Sequence, residues 1–347
     1  MKRLRLLLLP FSWLYGAVLF LRHFFYDRGL YTRYSFEKPV LVVGNLVVGG
    51  AGKSPMTEYL LRLLSTRTRV ATLSRGYGRK SKGYLEVQAD STAAEVGDEP
   101  LQVKRKFPWV TVADCEDRVE GLKRLMPQHE IFILDDAFQH RRLQPGVSIL
   151  LFDFDSLKRN KFLLPAGDYR DLFLRRNFAD IIVITKAPKL ITAEEKQGAK
   201  QLLRLKKEVP VFFTYIEYGH LSSLTTDERV PFPVGAKFML VTGIANPKPL
   251  SDYLNTKGEI LKEMNFPDHH QFSTNDLRNI RKYAQSLPDC LIITTEKDAM
   301  RLQSPEVVSQ LSGLPVYYIP IEIKFHMEGD ELPFDTLIKE KVLKDVS

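Results

Sequence analysis

A chain of 347 residues, 44% hydrophobic and 27% charged, is too apolar and balanced for a disordered protein and long for one core, so two domains are expected. Its 50 basic and 42 acidic residues leave a net charge of +8, which favours an anionic partner: nucleic acid, a phosphorylated substrate or an anionic membrane. Two cysteines, Cys115 and Cys290, without metal-ligand spacing, exclude a disulfide framework and suit a reducing compartment.

Leu6 to Leu21 carries no charge, with Lys2, Arg3 and Arg5 before it and Arg22, Arg28 and Arg33 after. No small-residue cleavage site follows, which argues against a signal peptide. The uncharged run falls short of the ~20 residues needed to span a bilayer. Phe11, Trp13, Phe20, Phe24 and Phe25 suit the headgroup boundary, so the expectation is a helix lying in or dipping into the cytoplasmic leaflet. A buried N-terminal core helix is the alternative.

Val40 to Val43 then reads as a buried strand running into Gly44-Asn45-Leu46-Val47-Val48-Gly49-Gly50-Ala51-Gly52-Lys53-Ser54. It reads as a phosphate-binding loop by its context of strand, glycine-rich turn and helix, with a glycine-rich βα turn that holds no nucleotide as the alternative. The small residues Gly49, Gly50 and Gly52 let backbone N–H groups close around phosphate oxygens, Lys53 can reach the terminal phosphates and the Ser54 hydroxyl can ligate Mg²⁺. The usual pattern has Gly where this chain has Val47. Pro55 fits the first helical turn, and the apolar spacing of Met56, Leu60, Leu61 and Leu64 predicts the helix that follows.

Val70 to Leu73 is the next expected strand. It leads to Arg75, Tyr77, Arg79, Lys80 and Lys82, a basic loop that can grip phosphates or simply be solvated. Val96-Gly97-Asp98-Glu99-Pro100 reads as a turn into a helix N-terminus. A strand is expected over 109–112 and a helix over 115–126. Ile131 to Leu134 is a buried strand delivering Asp135 and Asp136 at its C-terminal end, where open α/β sheets bind ligands and where phosphoryl-transfer sites place Mg²⁺-holding carboxylates. Gln139, His140, Arg141 and Arg142 add donors beside them.

Strands over 147–152 and 180–186, a charged helix over 192–207 and a strand over 211–218 continue the rhythm of strand, crossover and strand, which predicts a mostly parallel sheet with helices on both faces. Residues 219–234 have loop composition. A smaller α/β unit follows: a strand over 238–243, a short helix over 249–255, a helix capped by Ser273, a strand over 291–295, and a last strand over 316–323 that can pair with 211–218 as a hinge. The adjacent His269 and His270 lack the spacing of a metal site.

Taken in order, the N-terminal apolar basic segment, Gly44-Asn45 through Pro55, Ser74-Arg75-Gly76-Tyr77-Gly78-Arg79, Gly97-Asp98-Glu99-Pro100, Asp135 through Arg142, Leu164-Pro165-Ala166-Gly167, Asp268-His269-His270 and Thr295-Glu296-Lys297-Asp298 resemble the tetraacyldisaccharide 4′-kinases of lipid A biosynthesis. The resemblance implies transfer of the ATP γ-phosphoryl group to the 4′-hydroxyl of an acylated disaccharide 1-phosphate at the cytoplasmic membrane surface, giving lipid IVA, with ATP and Mg²⁺ as cofactors. It implies Asp98 as the base with His269 orienting it or sharing its proton, Lys53 on the β and γ phosphates, and Ser54, Asp135 and Asp136 organising the metal. Asn45, Gln139, His140 and Arg170 then line the nucleotide side, and Tyr77 a nucleotide or substrate pocket.

Where the family commonly shows Arg-Glu-Pro, this chain has Arg170-Asp171-Leu172; Ala137 stands for a usual Gly and Ser54 for a usual Thr. The expected architecture is a P-loop NTPase-like sheet over 31–218, rejoined by 324–347, with a smaller α/β domain over 219–323 and a membrane-associated helix over 1–30. With Asp98 and His269 on different domains, the two are expected to close around ATP. A membrane-associated P-loop GTPase or ATPase is the competing enzyme class, since Thr295-Glu296-Lys297-Asp298 loosely matches a guanine-reading loop without its Asn. A basic nucleic-acid-binding protein is a further class, but no recognised nucleic-acid module appears, so no nucleic-acid partner is expected.

Overall fold

The computed structural model describes residues 2–66, 68–287, 289–327 and 333–343. Of the expected C-terminal return, 328–332 and 344–347 lie outside them, as do the side chains of Lys2 and Arg3 that were expected to flank the apolar run.

Helix α1, Leu9–Asp27, continues well beyond the uncharged run. Its buried positions Ser12, Leu19 and His23 fall on one stripe with Gly16, where a Cβ would stand 2.9 Å from Leu163 Cδ1. The opposite face leaves Phe11, Trp13, Leu14, Val18, Phe20 and Leu21 exposed.

Eight strands follow: β1 Val40–Asn45, β2 Val70–Ser74, β3 Leu85–Glu86, β4 Thr111–Asp114, β5 Ile131–Asp135, β6 Val147–Asp153, β7 Ile181–Thr185 and β8 Val211–Tyr218. With a strand from the C-terminal region, β15 Ile321–Phe325, they form a nine-stranded sheet ordered β15-β8-β7-β6-β1-β5-β2-β4-β3. The pairings from β8 to β4 are parallel; β15 and β3 close the two edges antiparallel. The central strands are buried along their length, which is why they read as unbroken apolar runs. The chain moves from β1 outward through β2 and β4, returns by β5, and crosses to β6 on the other side of β1. That reversal places the ends of β1 and β5 at the switch point, where a crevice opens for ligands.

A six-stranded sheet is built from β9 Leu221–Ser223, β10 Arg229–Val230, β11 Ala236–Thr242, β12 Gly258–Asn265, β13 Cys290–Thr295 and β14 Val316–Ile319, ordered β10-β9-β14-β13-β11-β12. Residues 219–234 are therefore not all loop, and β12 is a strand whose alternating exposure left no buried run to read. The last expected strand is two. Pro320, which has no N–H for a ladder, separates β14 in the small sheet from β15 on the large one. β15 does pair with 211–218, as Ile321↔Tyr218 through Phe325↔Thr214. Helix boundaries also move: the expected helix over 115–126 begins at Arg118 because the Asp117 carboxylate caps the Val119 N–H at 3.0 Å, and that over 192–207 stops at Leu203.

Candidate active site

The loop after β1 turns into helix α2, Lys53–Leu64, through Gly49 and Gly52, whose φ values of +100° and +84° need glycine. Val47 is tolerated because it leaves the loop sideways, bridging to Tyr169 while the Val48 N–H bonds Asp168 O at 2.9 Å. Ser54 is the second residue of α2. The Gly50 carbonyl accepts from Lys186, whose ammonium lies 3.3 Å from Asp153.

Lys53 Nζ lies 3.5 Å from Asn45 Oδ1 and 3.7 Å from Asp136 Oδ1. Arg170 reaches the same two residues: it donates to Asn45 Oδ1 at 2.6 Å and grips both oxygens of Asp136, with Oδ2 at 2.9 Å. Gln139 Nε2 donates to the Asn45 carbonyl at 2.7 Å. Burial pushes the Asp136 carboxyl up, but the Arg170 hydrogen bond and the Lys53 charge outweigh it and hold it below the usual carboxylate range. Asp135 behaves oppositely. Burial first, then the nearby Glu99 charge, push it up to about 7 against the pull of Lys53, and its Oδ1 is buried with no hydrogen-bond partner among the described residues.

Helix α3, Asp98–Lys106, starts at the second group. Gly97 has φ +86°, and a Cβ there would stand 3.0 Å from Tyr77 O. Asp98 Oδ1 accepts the Glu99 N–H at 2.9 Å, while Oδ2 lies 3.0 Å from His269 Nδ1 and 3.3 Å from Arg301 Nη1. Lys297 Nζ lies 3.1 Å from His269 Nε2. An ammonium only donates, so Nε2 is the acceptor and the imidazole carries its proton on Nδ1, donated to Asp98. Burial pushes the Asp98 carboxyl up, but the His269 hydrogen bond and the charges of Lys297 and Arg301 hold it below its ordinary value. The exposed Tyr77 ring packs on His269 with centroids 5.1 Å apart.

Glu99 joins the two groups, pairing with Lys297 at 3.1 Å while its charge acts on Asp135. Asn45, Lys53, Asp136, Gln139 and Arg170 thus form one cluster, and Asp98, His269 and Tyr77 another. Asp98 and His269 meet in this conformation, so no closure around ATP is needed to bring them together. His140 joins neither cluster directly: its Nε2 lies 3.9 Å from Asp117, and burial and then the Arg118 charge push its pKa down to about 4.

Arg301 was not legible in the sequence. It lies on helix α4, Glu296–Leu302, which Thr295 caps by accepting the Asp298 N–H at 3.0 Å. Asp298 is fully buried, grips Arg301 and accepts the Gly243 N–H at 3.0 Å. Asp298 and Arg301 are one helical turn apart, the only hint that the acid fixes the arginine. Thr295-Glu296-Lys297-Asp298 therefore serves the Asp98 group: Lys297 faces His269 and Glu99, and Asp298 supports Arg301.

A family profile described as tetraacyldisaccharide-1-P 4′-kinase, LpxK, matches residues 4–342. The chain belongs to this family. It is 41% identical over 349 residues to the tetraacyldisaccharide 4′-kinase of Flavobacterium johnsoniae, covering 99% of each chain. It is 40% identical to that of Phocaeicola vulgatus, covering 97% of this chain and 95% of the relative. The crystal structure of an "apo" form of LpxK from Aquifex aeolicus in complex with ATP superposes with a TM-score of 0.75 at 30% identity, covering 99% of both chains. The kinase uses ATP to phosphorylate the 4′-position of a tetraacyldisaccharide 1-phosphate, giving lipid IVA, which decides against the competing hydrolase class.

Proposed function

We propose that the glycine-rich loop after β1 binds Mg-ATP in a P-loop NTPase-like sheet and that Asp98 is the base for the sugar 4′-hydroxyl. The observation that carries this reading is the meeting of two opposed sets of charges. Lys53 and Arg170 stand at the loop where a triphosphate would lie, and an ionised Asp98, held by His269 and Arg301, belongs to the second group, which Glu99 links to Asp135. Phosphoryl transfer needs little covalent help from the protein, only alignment and charge neutralisation. A low-pKa carboxylate suits this chemistry, because Asp98 orients the hydroxyl and takes its proton late, as the new P–O bond forms. His269 holds the carboxylate and Lys297 holds the imidazole tautomer. Gly49, Gly50 and Gly52 offer backbone N–H groups to the phosphates, and Tyr77 borders the acceptor side.

The residues fit Mg²⁺. Among the described residues no group of three or more His, Cys, Asp or Glu side chains forms a cage; Mg²⁺ in phosphoryl-transfer sites commonly takes one or two carboxylates together with substrate phosphates. The buried Asp135 Oδ1, unpartnered among the described residues, is the strongest candidate ligand, with its neighbour Asp136 and the Ser54 hydroxyl at the start of α2 as the others. When bound, the ion would neutralise the β and γ phosphates. Asp135→Asn is expected to raise the Mg²⁺ concentration for half-maximal rate about ten-fold or more, and an unchanged requirement in a Mg²⁺ titration would remove Asp135 from that role.

The exposed apolar face of α1 supports a seat at the cytoplasmic face of the inner membrane, beside an acylated substrate. Deleting residues 1–25 is expected to release the protein from vesicles, and continued co-sedimentation would sink this anchor. We assign 31–218 with 321–327 and 333–343 to a nucleotide domain and 219–319 to a smaller domain contributing His269, Lys297 and Arg301; the boundary expected at 323 moves to Pro320 because β15 pairs with β8 on the large sheet. The test of the whole reading incubates purified protein with Mg-ATP and a tetraacyldisaccharide 1-phosphate in detergent, looking for one added phosphate by mass. Unmodified lipid alongside ATP turnover would overturn it.

A further inference from the structure

Asp171 directly follows Arg170, yet its carboxylate turns to α1 while Arg170 turns to Asn45 and Asp136. Its carboxylate is buried and accepts from His23 Nε2 of α1 at 2.7 Å and from the Leu172 N–H at 2.7 Å. His23 is buried as well, on the helix face opposite the exposed apolar residues. The same face holds the neighbouring backbone. Tyr15 Oη donates to the Arg170 carbonyl at 2.9 Å, Arg22 donates to the Gln139 carbonyl at 2.9 Å, and Asp27, at the helix end, accepts from Arg141 at 2.5 Å.

One helix therefore grips both segments that converge on Asn45: the one carrying Gln139 and the one carrying Arg170. Adjacent residues point in opposite directions, Asp171 reaching back to the helix while Arg170 reaches forward to Asn45 and Asp136. Of these grips only His23–Asp171 is a buried pair of ionisable side chains, and breaking one partner leaves the other stranded in low dielectric.

We propose that His23 and Asp171 are positioning residues for the nucleotide half of the site: their pairing fixes the backbone that aims Arg170 at Asn45 and Asp136, so the helix proposed to seat on the membrane also sets the geometry of the phosphate loop. This inference rests on Arg170 belonging to the nucleotide site, so Arg170→Ala is measured alongside.

In full-length protein in detergent, His23→Leu is expected to weaken equilibrium ATP binding about ten-fold, leaving the KM for the glycolipid and co-sedimentation with vesicles unchanged. His23→Gln, which keeps a donor toward Asp171, is expected to restore most of the ATP affinity. Unchanged ATP binding in His23→Leu overturns the proposal if Arg170→Ala does weaken it. If Arg170→Ala also leaves ATP binding intact, the nucleotide-site reading of Arg170 fails first and the proposal with it. A parallel loss of ATP affinity, glycolipid KM and thermal midpoint, without recovery in His23→Gln, also overturns it and makes the pair a folding contact.

Discussion

Asp98→Asn is expected to lower kcat by about a hundred- to ten-thousand-fold while equilibrium ATP binding stays near that of the unsubstituted kinase. The substitution keeps an oxygen to accept the Glu99 N–H and changes little in shape, so what it removes is the charge that in the proposed role orients and deprotonates the sugar hydroxyl. It also removes the anion that His269 Nδ1 faces and one of the two that Arg301 faces, Asp298 remaining as the other, which adds a stability cost readable as a lower thermal midpoint. The pH dependence has a definite sign. Because the folded carboxyl is held below its ordinary value, Asp98 stays ionised as pH falls through the usual carboxylate range. Its contribution to stability is full above the unfolded value and is lost only as pH falls through the depressed folded one. Near-normal turnover in Asp98→Asn, with lipid phosphorylation followed by mass, would take Asp98 out of the base role.

The two stretches that fold around β1 and β5 were legible because each combines an unbroken apolar run with a local chemical signal, glycines and Lys53 in one, paired carboxylates in the other. Both signals lie within a dozen residues, so no knowledge of the rest of the chain is required. The pairing of Asp98 with His269, 171 positions apart, has no such local mark; it came only with the family resemblance. Arg301 escaped altogether, since an arginine on a short helix is indistinguishable from a solvated one until Asp298 and Asp98 are seen on either side. The split at Pro320 was visible as a proline in a strand pattern, but its meaning, a chain stepping from one sheet to the other, depends on where β8 and β13 lie.

The two sheets are locked together by a buried charge junction that no single motif carries. Lys106, on the helix that begins at Asp98, lies 2.7 Å from Glu58 on the phosphate-loop helix and 2.9 Å from Glu296, next to Lys297. Gln102 donates to Glu58 at 2.7 Å. Burial, then the Glu58 charge, push Glu296 up to about 7 despite Lys106. The helices bearing Lys53, Asp98 and Lys297 therefore share one polar contact, so a shift in any of them is felt by the other two, and Asp98 is registered against the loop after β1 by structure remote from both.

Lys53→Met is expected to lower kcat by about a hundred- to a thousand-fold, the scale for losing one charge-stabilising donor in a phosphoryl or acyl transfer site, and unlike Asp98→Asn to weaken ATP binding as well. Lys53 reaches both Asn45 and Asp136, as Arg170 does, but it is the Lys53 charge that restrains the rise of the Asp135 pKa. Removing it lets burial and Glu99 push Asp135 higher, so more of it is protonated at neutral pH and the Mg²⁺ requirement shifts toward alkaline solution. Lys53→Arg is not expected to recover the rate, because a planar guanidinium cannot occupy the place of a compact ammonium between Asn45 and the phosphates. A Lys53→Met protein whose ATP affinity and Mg²⁺ requirement both match the unsubstituted kinase would mean that Arg170 alone neutralises the loop. The cluster at Asn45 would then be organised around the arginine that α1 holds in place.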